Sequence, residues 1–400
     1  MRIFPAVLLM LAAIVSSATA DHPVAFEVKL LAVDANEGCD VADFDGDGKL
    51  DVVAGRSWYR NGDWAPRPVR IIEDWNGYVQ SNGDSAYDVN GDGYPDVIAN
   101  PFTSTEVHWY ENPGPEKLAM GHLWTPHLLA DTGQGTNEVS MLVDLTGDGK
   151  PEWFSNQWKK DLPTIIWSLS EEEREVEVTE GRKTTTVKKP MPTLVGHTIG
   201  PVNGHGIAFG DINNDGRDDL LFGQGWYERP EGDALSQEWT LHEDWVLHGS
   251  CPMLVYDVDG DGKADLVWGD SHNYGIHLWR GKGPDAEGKL QFEESLIDDS
   301  FSQPHCLVLA DLDGDGRDEM ITGKRIRAHN GSDPGSDEPP IMRYYVWNAE
   351  KKAFDGYTMN EGQAGCGLQI RTADIDADGD IDVVVAGKEG TQILWNQSEK

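Results

Sequence analysis

Basic side chains are scarce in this sequence. Lys and Arg number 32 against 70 Asp and Glu, a formal net charge of -38 at pH 7. A nucleic-acid groove needs a basic footprint to displace phosphate counterions, so no nucleic-acid partner is expected. Cysteine is scarcer still: Cys39, Cys251, Cys306 and Cys366 are the only four, too few to build a disulfide scaffold, so the core must come from packing. Long apolar runs are also missing. Residues 3–15 fall short of the ~20 needed to cross a bilayer and no comparable stretch follows, which argues against a transmembrane segment. That run follows Arg2 and leads to residues 16–20, where Ala18 and Ala20 supply the small-x-small pattern of a signal-peptidase site. The expectation is a signal peptide over 1–20, cleaved after Ala20, and a secreted chain, extracellular or periplasmic, over 21–400. Export makes disulfides reasonable, but four cysteines allow three pairings and the sequence does not choose among them.

What is abundant points to β structure. Hydrophobic residues make up 38% of the chain, enough for a large core, while 45 Gly and 21 Pro are far too many for a helical one. One nine-residue pattern returns seven times: Asp, any, Asp/Asn/Thr, any, Asp, Gly, two variable residues, then Asp or Glu. The spacing suits a hard cation such as Ca²⁺, which takes six to eight oxygens at ~2.3–2.6 Å from carboxylates at alternate positions of a tight loop and a backbone carbonyl. Positions one, three, five and nine are the candidate ligands. In chain order they are Asp43, Asp45, Asp47 and Asp51; Asp88, Asn90, Asp92 and Asp96; Asp144, Thr146, Asp148 and Glu152; Asp211, Asn213, Asp215 and Asp219. The last three copies supply Asp257, Asp259, Asp261 and Asp265; Asp311, Asp313, Asp315 and Glu319; and Asp374, Asp376, Asp378 and Asp382. Position six is Gly in every copy, as expected where the backbone must take a positive φ to wrap an ion. Up to seven calcium ions are therefore expected, one per loop, and they would offset much of the acidic self-repulsion.

An EF-hand opens in the same way but needs Glu at position twelve and flanking helices. Position twelve is Ala54, Ala99 or Ser155 in the first three copies, and each loop is followed by a short β-type run such as Asp96-Val97-Ile98-Ala99. Around the second loop four strands can be read: Ser85 to Tyr87, Val97 to Ala99, Val107 to Tyr110 and Trp124 to Leu129. Four strands in each of seven units predict an all-β, seven-bladed β-propeller, which leaves only short protected edges. The seventh unit stops after its third strand, Thr391 to Trp395. Phe26 to Leu31 resembles the fourth strands, read at Trp124 to Leu129 and at Val69 to Ile72, so the N-terminal strand is expected to complete the last blade and close the ring. The loop repeated before a β-strand resembles the FG-GAP (integrin α-subunit) and VCBS repeat family of seven-bladed propellers. The resemblance covers essentially the whole of 21–400, although Phe209-Gly210 and Phe222-Gly223 occur without any Gly-Ala-Pro. It implies a propeller, calcium, and a binding module as the default role. One insertion breaks the rhythm: near 169–192 an acidic stretch, a turn near Gly181 and a basic stretch read as a charged hairpin, either a partner arm or a solvated excursion.

The loops joining strands one and two lie at one end of such a ring, so ligand chemistry is expected at the opposite mouth. Six residues before each loop stand Glu37, Asn82, Glu138, His205, Cys251, His305 and Leu368, mostly polar where a purely structural ring needs no polar group. The loops between strands two and three add Arg56, Asn100, Lys159, Gln224, His272, Lys324, Arg325 and Arg327. Cations gathered at one mouth suit an anionic or polyhydroxylated ligand. The expected partner is a carbohydrate or a surface protein at the face opposite the calcium loops. The alternative is a lyase or dehydratase acting on acidic or oxidised sugars, with His205 or His305 as base, Glu138 beside them and Arg325 holding a carboxylate. Each His can equally be a satisfied inner histidine, and two His with Glu138 can also form a metal centre. The Trp-Tyr pairs at Trp58-Tyr59, Trp109-Tyr110 and Trp226-Tyr227 are expected to pack between blades. No nucleophile elbow, phosphate loop or zincin motif is present.

Overall fold

Position nine of every repeat is the first residue of a strand. Asp51–Ala54, Asp96–Ala99, Glu152–Gln157, Asp219–Phe222, Asp265–Gly269, Glu319–Lys324 and Asp382–Gly387 are the second strands of seven four-stranded antiparallel sheets. The computed structural model describes residues 24–180 and 183–398; the export segment read at 1–20 and the turn near Gly181 lie outside them. The second strands are buried on nearly every residue, which explains the Val, Ile and Leu pairs in most of them: both faces meet a neighbouring blade. Seven blades stand in a ring, with almost no helix among the described residues.

Strand alternation shows why aromatic pairs recur. Trp58 packs with Phe44, Val97 and Trp124, whereas Tyr59 packs with Cys39, Ile375 and Ile393 on the other side of the same blade. Trp226 and Tyr227 divide in the same way between the fifth and third blades. Successive side chains on a strand point to opposite faces, so each dipeptide fills two inter-blade cores at once. The ring closes as the sequence predicts: Phe26–Ala32 pairs antiparallel with Gly390–Asn396, Phe26 opposite Asn396 and Val28 opposite Leu394.

One strand moves, and three further features take definite form. The fourth strand of the first blade is Pro66–Pro68, and Val69 to Ile72 follow it as a connection. The charged insertion is an antiparallel hairpin that continues the third blade's own outer strands, Thr164–Glu180 and Lys183–Gly200, with one register shift at its base between Thr164 and Ile165. Its base docks on the second blade, with Met191 and Leu194 packed beside Trp109 and Leu129 and Thr193 Oγ1 donating to the Leu129 carbonyl at 3.0 Å. Opposite charges meet across it at Lys188 and Glu175, 4.0 Å apart. The four cysteines are buried and free. Finally, a two-stranded ribbon, Asp74–Trp75 and Tyr78–Val79, sits in the connection between the first two blades.

Candidate functional site

Each acidic loop is organised by its own backbone. The position-one carboxylate accepts the amide of the position-six glycine in all seven copies, from Asp43 and Gly48 at 2.8 Å to Asp374 and Gly379 at 3.0 Å. Those glycines have φ between 83° and 95°, the left-handed region a β-carbon disfavours. Position four is left-handed too, as Gly in five copies and as Asn214 and Ala377 in the others, a requirement the motif analysis missed. The ligand atoms of Asp43, Asp45 and Asp51, of Asp257, Asp259 and Asp265, and of Asp311, Asp313 and Asp315 each lie within 4.8 Å of one another. Where position three is Asn, its amide turns to the next carboxylate, as Asn90 does to Asp92 at 3.2 Å.

Position nine does more than point at a loop. Its carboxylate accepts the backbone amide two residues into the motif in every copy, for example Phe44 on Asp51 at 3.1 Å and Val258 on Asp265 at 3.0 Å. In five copies its other oxygen accepts a second backbone amide, just past the third strand in three of them, as Asn61 on Asp51 at 2.7 Å, and within that strand at Gly281 and Asn396. Burial, abetted by the neighbouring acids, pushes Asp51, Asp96, Asp219 and Asp382 up to about 7. Such a group needs a proton or a cation.

At the other end the predicted residues converge. Glu37 and His205, just before the first strands of two blades, and Glu138 and His305, at the second residue of the first strands of two others, meet Arg325 from the loop after Glu319–Lys324. Arg325 grips Glu37 with two bonds, Nε to Oε1 at 2.7 Å and Nη2 to Oε2 at 3.0 Å. Its Nη1 donates to Glu138 Oε1 at 3.1 Å and to His305 Nε2 at 2.9 Å. Lys388 Nζ completes Glu37 at 2.5 Å. Burial alone would raise the Glu37 carboxyl, but Arg325 and Lys388 hold it down to about 2. His205 Nε2 stands 3.2 Å from Glu138 Oε2, and His272 Nε2 3.2 Å from His205 Nε2. Burial, reinforced by Arg325, presses the His305 imidazole down to about 3. Five of the chain's twelve histidines gather here: His205, His248, His272, His305 and His329 are linked by ring contacts of 4.0 to 5.4 Å between centroids.

Above this cluster lies a cavity of about 230 Å³ lined by Trp75, Tyr78, Asn82, Phe102, Glu138, Trp158, Arg325, Arg327, His329, Asn330 and Lys388. Trp75 stacks on Phe102 at 6.0 Å, Lys388 lies over the Tyr78 ring, and Trp158 is 50% exposed. Sequence reasoning placed Asn82, Glu138, Arg325 and Arg327 at this mouth but missed the aromatic wall. It also missed Lys388, although Lys388 occupies the same loop of the seventh blade that yielded Arg325 in the sixth. The other expected residues go elsewhere. Arg56 pairs with Asp34 and Asp74, Lys324 is buried on the Gly335 carbonyl and the Ser302 hydroxyl, and Cys251 and Leu368 lie within an inter-blade core. Asn100 lines a separate cavity, while Lys159 and Gln224 do not line this one. His205 and His305 lie beneath the cavity rather than in its wall, 5% and 0% exposed.

Residues 88–155 and 257–322 match the family described as FG-GAP-like repeat. Each matched segment opens on the first Asp of one loop and runs past the next, so the chain carries FG-GAP-like repeats arranged as a seven-bladed propeller. No curated protein matches the chain. Among solved structures it is similar to a chain from the structure of BBS1N in complex with ARL6DN, soaked with mercury, at 12% identity and TM-score 0.48, covering 94% of this chain and 96% of that one. It is also similar to the WD40 domain of SCAP from fission yeast, at 8% identity and TM-score 0.37, covering 93% and 98%.

Proposed function

We propose that this propeller of FG-GAP-like repeats is an exported binding module, held rigid by calcium at one end and taking a carbohydrate-class ligand at the other. The observation that carries the reading is the aromatic wall of Trp75, Tyr78, Phe102 and Trp158 around a cavity of about 230 Å³. Sugar rings offer apolar C–H faces to aromatic surfaces and hydroxyls to amides and guanidinium groups; Asn82 and Asn330 supply the amides and Arg327 the guanidinium. The volume suits one sugar unit, such as a chain end, better than a folded protein surface. Arg325 and Lys388 are both committed to Glu37, so the pull on an anionic group comes from Arg327, which is exposed at the rim.

Binding is favoured over proton abstraction by His205 or His305 because of where those two imidazoles lie. A base needs a lone pair within reach of the substrate, and the Nε2 atoms of His205 and His305 face Glu138 from below the cavity. Calcium accounts for loops in which acids and left-handed glycines recur in one register, and the weak sites typical of extracellular modules suit an exported chain. The test is a saccharide panel read by tryptophan fluorescence and calorimetry. Trp158→Ala should weaken binding roughly five- to tenfold, the range of one aromatic stacking contact, with an unchanged melting temperature. Binding that ignores both Trp158→Ala and Tyr78→Ala, or a panel in which only proteins bind, overturns the carbohydrate reading.

A further inference from the structure

The histidine cluster beneath the mouth has more acceptor atoms than protons to satisfy them. His272 Nδ1 lies 2.8 Å from Asp333 Oδ2, which puts the ring proton on that side and leaves the Nε2 lone pair pointing inward. His305 Nε2 takes an N–H from Arg325 at 2.9 Å, so it too presents a lone pair. The Glu138 carboxylate only accepts. His205 Nε2 stands 3.2 Å from both Glu138 Oε2 and His272 Nε2, and one proton there can serve only one of them. His305 Nε2 is likewise 3.2 Å from Glu138 Oε1. All four groups are buried and their ligand atoms lie within 4.8 Å of one another. A shared divalent cation would resolve every one of these contacts.

We infer that Glu138, His205, His272 and His305 form a tetrahedral site for a borderline transition cation of the zinc class, with Asp333 as the positioning residue for His272. The spacing fits the ion. With Zn–N and Zn–O bonds of about 2.0–2.1 Å, the edge of a tetrahedron is about 3.3 Å, and two of the inter-ligand separations, from His205 Nε2 to Glu138 Oε2 and to His272 Nε2, are 3.2 Å. The donor set fits as well, since imidazole nitrogens with one carboxylate select zinc-like ions over calcium. Asp333 holds His272 as a carboxylate commonly holds a metal-bound histidine, and its other oxygen is taken by His329 Nδ1 at 2.9 Å. On binding, His305 exchanges its hydrogen bond from Arg325 for the ion. Arg325 keeps its two bonds to Glu37 and its bond to Glu138 Oε1, leaving Oε2 as the ligand. Glu138 also lines the cavity, which gives an ion a route from solvent. The site is chemically distinct from the acidic loops and does not depend on which ligand the mouth takes.

The experiment uses the full chain, stripped of metal, returned to excess Ca²⁺ to fill the acidic loops, and titrated with Co²⁺ as a spectroscopic stand-in for zinc. The expected result is one equivalent of Co²⁺ with the strong visible absorption of tetrahedral coordination, bleached by one equivalent of Zn²⁺. His272→Gln should abolish that band, Asp333→Asn should weaken Co²⁺ binding about 10- to 100-fold, and His242→Gln, on an outer strand, should change neither. Absence of a tetrahedral band in the unmodified protein overturns the inference without recourse to any variant. A band that survives in His272→Gln with native melting behaviour overturns it equally, and either failure leaves the carbohydrate reading of the mouth untouched.

Discussion

Replacing Arg325 by Met removes one cation from a place where two carboxylates depend on it. Glu37 and Glu138 are 1% and 6% exposed, so neither can recover hydration when its partner goes. Breaking a buried pair from one side costs about 3–5 kcal/mol. Lys388 remains on Glu37 at 2.5 Å, which sets the expectation near the lower bound, about 3 kcal/mol. Unfolding entropy is about 2.1 cal/mol/K per residue, so a ring of about 375 ordered residues loses about 4 °C of melting temperature for that change. The pH dependence has a definite sign. In the parent, Glu37 is held at about 2 against an ordinary value of 4.5, so its contribution is complete above pH 4.5 and is lost as the pH falls toward 2. Without Arg325 the buried carboxyl rises instead and takes up a proton more readily. The deficit of Arg325→Met should therefore be largest at pH 7 and shrink toward pH 4. Adding Glu37→Gln should restore part of the loss, because it removes the stranded charge. Calorimetric melting of the parent, the single variant and the double variant at pH 7 and pH 4 measures all three effects. A deficit below about 1 kcal/mol, one that grows on acidification, or one made worse by Glu37→Gln would refute the reasoning.

Calcium removal tests the opposite end of the ring: each filled loop is worth ~2.7 kcal/mol at a hundredfold excess over its dissociation constant. Excess chelator should thus lower the melting temperature by more than about ten degrees, and an unchanged curve would exclude structural calcium. Asp259→Ala should reduce the calcium count by one in equilibrium dialysis while leaving ligand binding at the far mouth unaltered. Trp226→Ala, which empties the contact between the fourth and fifth blades, should cost about 3–5 kcal/mol by denaturant melting, whereas Trp158→Ala at the exposed rim should cost almost nothing.

Much of this architecture was legible because it is written locally and repeatedly. A nine-residue loop recurring seven times fixes where each second strand starts, and alternation along Trp58-Tyr59 or Trp226-Tyr227 shows that both faces of a blade are covered. The missing fourth strand of the last unit, set beside the spare strand at Phe26–Ala32, makes ring closure a matter of counting. The first strand of each blade has a defined start, so the register that singled out Glu37, Glu138, His205 and His305 was also readable. What these residues do to one another was not. Arg325 reaches Glu37 across 288 positions of chain and Glu138 across 187, and only the closed ring sets that separation in space. The same closure buries His205 and His305 below the mouth, adds His272 and Asp333 to their group, and exposes Trp158 above them. Local pattern determines strands, turns and loops because those depend on neighbours in the chain; pairing, burial and the direction of a lone pair depend on neighbours in space, which here come from other blades.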